Sequence, residues 1–140
     1  MKALLVADPH FNLSWFEWIE QEAQAVDAVF ILGDFLDIFR SDPPLSMQAA
    51  AVRHWLRELA KNRGVAFCSG NHDKHVLIDR AFPAPNLISD GLTEVLGGFV
   101  ITCVPYWNDE REKAKYLNRG QAYRAGPQVD RVTSRAPVSP

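Results

Sequence analysis

Residues 28–37 read Ala-Val-Phe-Ile-Leu-Gly-Asp-Phe-Leu-Asp, five apolar residues that run without a break into Gly33 and Asp34. A strand with one wet face alternates apolar and polar side chains. An unbroken run instead predicts a strand covered on both faces, as in a parallel sheet packed between helices. Two other runs have the same form, Ala-Leu-Leu-Val-Ala at 3–7 and Val-Ala-Phe-Cys at 65–68. Helical patterns lie between them. Ser14-Trp15-Phe16-Glu17 fits a capping box and predicts a helix running to about Ala25. A second helix is expected from near Ser46, after Pro43-Pro44, with Ala50, Val52, Trp55, Leu56 and Leu59 at helical spacing and a stop near Gly64. Strand, helix, strand, helix, strand is a βαβαβ unit with right-handed crossovers, so the fold class is α/β.

Each of the three runs ends in chemistry. Asp8-Pro9-His10 follows the first, Gly33-Asp34-Phe35-Leu36-Asp37 the second, and Gly70-Asn71-His72-Asp73 the third. In an open parallel sheet the carboxyl ends of the strands form the crevice where ligands bind, so three clusters far apart in sequence are expected at one rim. In extended backbone residues i and i+2 point the same way, so Asp8 and His10 can face one ion, and Pro9 biases Asp8 toward that geometry. Gly33 and Gly70 permit sharp turns and close backbone approach. The donors are oxygen and imidazole with no thiolate, a set suited to Mn, Fe, Zn, Ni or Mg rather than to a structural zinc site. Taken singly, each cluster is equally ordinary turn chemistry. Their recurrence after consecutive strands is what points to a site.

The pattern D-x-H, then G-D-x-x-D, then G-N-H-D resembles the calcineurin-like metallophosphoesterase superfamily over residues 1 to about 107. The resemblance implies one half of an αββα sandwich. It implies that Asp8 and His10 bind a first metal, that Asp34 bridges two metals and that Asn71 binds the second. It gives His72 the catalytic role at the phosphate or leaving oxygen, has Asp73 orient or polarise His72, and makes Asp37 a partner behind the ligands. The cofactors would be two divalent metal ions and the substrate a phosphate mono- or diester, hydrolysed at a two-metal site. Ile38 stands where many members carry Arg. Arg40 is then either a phosphate clamp or a solvated residue, and His75 either a substrate contact or an exposed helix residue. His54 reads as structural. Phe11, Tyr106 and Trp107 either line the pocket or pack at its rim.

Later in the chain, "LTEVL", Gly97-Gly98 and "FVITCV" predict a hairpin. A polar helix is expected over 108–118, closed by Gly120. Residues 121–140 carry scattered Pro and Arg without apolar periodicity, and read as a disordered tail after a partial domain spanning 1–120. The family's later imidazole ligands have no counterpart, because no histidine follows His75. One set of codons for residues 129–137, read a nucleotide later, encodes Ser-Ile-Val-Ser-His-His-Glu-Pro, an apolar strand ending in histidine. A frameshift near 124–128, a truncation or a natural short form is therefore expected, with impaired activity. The rival expectation is a non-catalytic or degenerate member of the same fold, either a binding protein or an inactive remnant.

The 140 residues carry a net charge of −2 and are 47% hydrophobic, which suits one globular domain. That balance disfavours a general nucleic-acid binder and leaves nucleic acid only as a substrate. No apolar stretch reaches the length of a membrane span, and Lys2 is followed by only five apolar residues before Asp8, so neither a membrane segment nor a secretory signal is expected. Cys68 and Cys103, both in apolar runs, read as buried free thiols of a cytoplasmic protein.

Overall fold

The computed structural model describes residues 1–73, 84–106, 110, 111, 113–115 and 118. Its centre is a parallel sheet of β1 (Ala3–Val6), β2 (Ala28–Leu32), β3 (Gly64–Cys68) and β4 (Leu87–Ile88), in that spatial order. The register sets Leu5 beside Phe30, Phe30 beside Ala66 and Ala66 beside Ile88. Two helices make the crossovers, α1 (Leu13–Ala23) and α2 (Leu45–Ala60). The three expected strands and both helices are present. β4 is additional: two residues are too short to show a hydrophobic period.

Alternate residues of a strand face opposite sides. Val6, Val29, Ile31, Val65 and Phe67 form one core with Phe16, Ile19, Val52 and Leu56 of the helices. The second face is covered in part by an antiparallel hairpin, β5 (Thr93–Leu96) and β6 (Phe99–Thr102). Ala66, Ile88 and Cys103 are buried there, with Leu96 and Ile101 packed against them. Leu96 lies so close to Gly64 that a Cβ on that glycine would overlap it. Leu5 and Leu32 on this face stay exposed, at 66% and 53%. The expectation of strands covered on both faces therefore holds for β3 and fails at the β1 edge and the end of β2. The hairpin reaches across β3 and β4 and leaves those leucines uncovered.

Gly97 and Gly98 turn the hairpin at φ +57° and +83°, the double left-handed pair of a type I′ turn. The start of α1 differs from the capping-box expectation. Asn12 is the cap, and its Oδ1 accepts the Ser14 N–H at 3.1 Å. Ser14 already lies inside the helix, and its own amide is the first-turn N–H that the Asn12 cap satisfies. Residues 110, 111, 113–115 and 118 are helical, within the polar helix expected over 108–118. The domain boundary at 120, the tail from 121 to 140 and His75 lie outside the described residues.

Both cysteines are free. Burial pushes the Cys68 thiol up to about 11 and the Cys103 thiol up to about 12, so neither is a nucleophile at neutral pH. No helix among the described residues is long and apolar enough to cross a membrane.

The hairpin is tied to β3 through Asp90. Its Oδ1 accepts the Ser69 N–H at 2.7 Å, and its Oδ2 accepts the Ser69 hydroxyl. Burial holds the Asp90 carboxyl above its usual 3.8, although the two Ser69 bonds pull the other way. A raised folded pKa stabilises the fold fully below the unfolded value, and that contribution is lost as pH rises through the folded value. Asp90→Asn stays neutral throughout. The unfolding free energy of the native chain, measured by urea melts, should therefore fall relative to Asp90→Asn as pH rises from below 3.8 to neutrality. A pH-independent difference would contradict this.

Candidate metal centre

Three loops meet at the carboxyl ends of β1, β2 and β3. The first two are stitched by backbone: the Asp8 N–H donates to the Gly33 carbonyl at 3.3 Å, His10 to Asp34 at 2.9 Å and Phe11 to Phe35 at 2.7 Å. Such pairing continues the sheet register past β1 through a chain that is no longer extended. Asp8, His10 and Phe11 take φ of +53°, +44° and +49°, and Asp34 takes +52°. Asp and His tolerate this left-handed region, while a phenylalanine there is strained. The extended i, i+2 geometry expected for Asp8 and His10 is therefore corrected. Hydrogen bonds to the β2 exit outweigh the local bias that Pro9 supplies.

The second and third loops touch at two glycines. A Cβ on Gly33, at φ +78°, would sit 2.6 Å from the Gly70 nitrogen. A Cβ on Gly70 would overlap Asp34 Oδ1. With both side chains absent, the Asp34 carboxylate reaches the third loop, and its Oδ1 accepts the His72 N–H at 3.0 Å.

Asp73 locks this contact. It is fully buried, and its Oδ2 accepts the N–H of Phe35 at 3.2 Å and of Gly70 at 2.9 Å, while Oδ1 accepts that of Leu36 at 3.1 Å. Burial drives the Asp73 carboxyl above its usual range, against the pull of those three amides and with the Asp34 charge adding to the rise. The resemblance had Asp73 orienting the His72 imidazole. Here its bonds go to backbone amides, so it positions the loops that carry Asp34 and His72.

The result is a cluster. Donor atoms of His10, Asp34 and His72 lie within 4.8 Å of one another, and the two imidazole rings stand 4.9 Å apart between centroids. His72 Nδ1 is buried without a hydrogen-bond partner. A buried polar nitrogen without a partner costs free energy. The Asp34 carboxylate and the two imidazoles make a donor set that fits a divalent cation.

The family's sequence profile, described as calcineurin-like phosphoesterase, matches residues 1–132. The chain belongs to that family. No match to an individual curated protein stands beside it. In this calcineurin-like phosphoesterase the D-x-H, G-D-x-x-D and G-N-H-D segments occupy the ends of β1, β2 and β3, as the sequence led us to expect. Asp8 is exposed and falls outside the three-residue donor group, where left-handed backbone has replaced the extended geometry. Asn71 is exposed next to His72.

Asp37 faces its own loop. Its Oδ1 accepts the Phe39 N–H at 3.1 Å, and its Oδ2 lies 3.8 Å from Arg40 Nε. Neither contact reaches a donor of the cluster, so Asp37 shapes the loop after β2, and Arg40 is held by Asp37 at the surface. Sequence reasoning missed Gln48. It is fully buried on α2, its Oε1 accepts the Asp37 N–H at 2.9 Å, and its Nε2 donates to the Pro43 carbonyl at 2.8 Å. The available signal was a glutamine one residue before Ala49 on the face that carries Val52 and Leu56. His54 is exposed, Phe11 buried and Tyr106 exposed; Trp107 lies outside the described residues.

Removing the Asp73 carboxylate strands three inward-facing amides. Asp73→Ala should cost about 3 kcal/mol or more of unfolding free energy in urea melts, and Asp73→Asn, which retains one acceptor oxygen, clearly less. Equal and small losses for both would show that the amides find other partners.

Proposed function

We propose that this chain is a metal-dependent phosphoesterase, acting on phosphate mono- or diesters. The observation that carries this is the convergence of His10, Asp34 and His72 donors within 4.8 Å at the rim of the sheet, in a member of the calcineurin-like phosphoesterase family. His10 and Asp34 would hold a divalent cation. Asp8 and Asn71 would complete the ligand sets, Asp34 lying between the two. Mn, Fe, Zn, Ni and Mg all suit such oxygen and imidazole donors. Bound divalent cations supply Lewis-acid chemistry, neutralising phosphate charge and making water acidic enough to attack near neutral pH.

The chain's own residues supply the rest. His72 is fixed through its backbone N–H on Asp34 Oδ1. Its imidazole would hold at Nε2 the proton passed to the departing ester oxygen, a contribution of about 10²–10⁴-fold for a well-placed acid. Asp73 acts at one remove, by holding the Asp34 and His72 loops together.

A second reading rests on Asp8, which is exposed and lies outside the three-residue donor group. A chain that binds cations and hydrolyses nothing would be a non-catalytic member of the fold.

Titration with Mn²⁺, followed by hydrolysis of bis(p-nitrophenyl) phosphate, separates these readings. Asp34→Ala should weaken Mn²⁺ binding at least about tenfold, and His72→Ala should lower Mn²⁺-stimulated hydrolysis by about a hundredfold or more. Binding without hydrolysis favours the non-catalytic reading. Mn²⁺ affinity that ignores Asp34→Ala contradicts the metal site.

A further inference from the structure

Phe39 is the most exposed large apolar side chain described, at 87%, and it stands at the cluster rather than at random on the surface. Its ring centre lies 5.7 Å from that of His72, edge to face at 83°. His72 in turn lies against His10, so the three rings form a row that ends in solvent at Phe39.

The loop that carries Phe39 is pinned. Asp37 Oδ1 accepts the Phe39 N–H, and the Arg40 N–H donates to the Asp37 carbonyl at 3.3 Å. Buried Gln48 holds Asp37 from one side, and Asp73 holds Phe35 and Leu36 from the other. A phenylalanine kept in water on a braced loop forgoes the burial that usually determines where this side chain goes. Beside a phosphate-sized cluster of donors, its open face can cover a flat ring carried by the ester.

We propose that Phe39 is the platform on which a planar aromatic group of the phosphoester packs, so that the preferred substrates carry such a ring close to the phosphate. This deepens the proposed phosphoesterase function and rests on it. The ring could belong to an aryl ester or to a nucleobase. The two share the stacking chemistry and differ in how far the ring stands from phosphorus.

Non-hydrolysable phosphonates test this by calorimetry on the Mn²⁺-loaded chain. One pair is phenylphosphonate and methylphosphonate. The other is the methylene phosphonate analogues of adenosine monophosphate and of ribose 5-phosphate. In at least one pair the ring-bearing ligand should bind about fivefold tighter than its ringless partner, the size expected of one aromatic contact. Phe39→Ala should bring that ratio close to one. An advantage in the first pair identifies an aryl ester, and one in the second a nucleotide. Equal affinities within both pairs, or a preference that survives Phe39→Ala, would overturn the inference while leaving the metal centre standing. Failure of every phosphonate to bind would overturn the phosphoesterase proposal and this inference together.

Discussion

A single buried carboxylate holds the rim of this sheet together. Asp73 comes from the loop after β3, yet two of the three amides it binds belong to Phe35 and Leu36 after β2. Parallel strands bring their ends near one another without fixing the loops that leave them. Here the fixing is charge-assisted hydrogen bonding in a low-dielectric setting, where such bonds are strong and their loss is costly. With that bond set in place, Asp34 and His72 occupy one position relative to each other. Without it, they would sit on two independent turns.

The same economy explains the backbone. Gly33 and Gly70 approach until no Cβ fits between them, and Asp8, His10, Phe11 and Asp34 all adopt left-handed φ. Strain of this kind persists only where the surroundings over-determine it. The surroundings are visible: the β1 exit pairs with the β2 exit, Asp73 ties the β2 exit to the β3 exit, and Gln48 braces Asp37 from α2. Rigidity at the rim keeps three donors aimed at one small volume before any ligand arrives, which is the condition for tight placement of an ion or a phosphate.

The sheet was legible because its signals are local. Unbroken apolar runs marked β1 to β3, apolar spacing marked α2, and Gly97-Gly98 marked the hairpin. What escaped depended on distant partners. β4 is two residues whose identity as a strand comes from pairing with β3. Asn12 displaced the Ser14 cap because the turn at Pro9 delivers the chain to it. The placing of Asp8 and His10 could not be read from Asp-Pro-His, since the bonds that set their backbone come from Gly33 and Asp34. Asp73 was singled out from its motif and given the wrong partner: His72 is its neighbour in sequence, but residues 35 and 36 are its neighbours in space. His10 and Asp34 were expected as metal ligands and His72 as a catalytic imidazole; that these three group together, without Asp8, needed the fold.

On this account the His10 imidazole and the Asp34 carboxylate, carried by two separate loops, would hold one divalent cation, with His72 beside it. Electron spin-echo envelope modulation of the Mn²⁺-loaded chain reads this directly, because nitrogen within bonding distance of the ion modulates the echo. Modulation from histidine nitrogen, reduced by His10→Ala, is the outcome expected from the geometry. An echo that carries water protons alone, unchanged by His10→Ala, would mean that the cation sits elsewhere and that the cluster is not a metal centre.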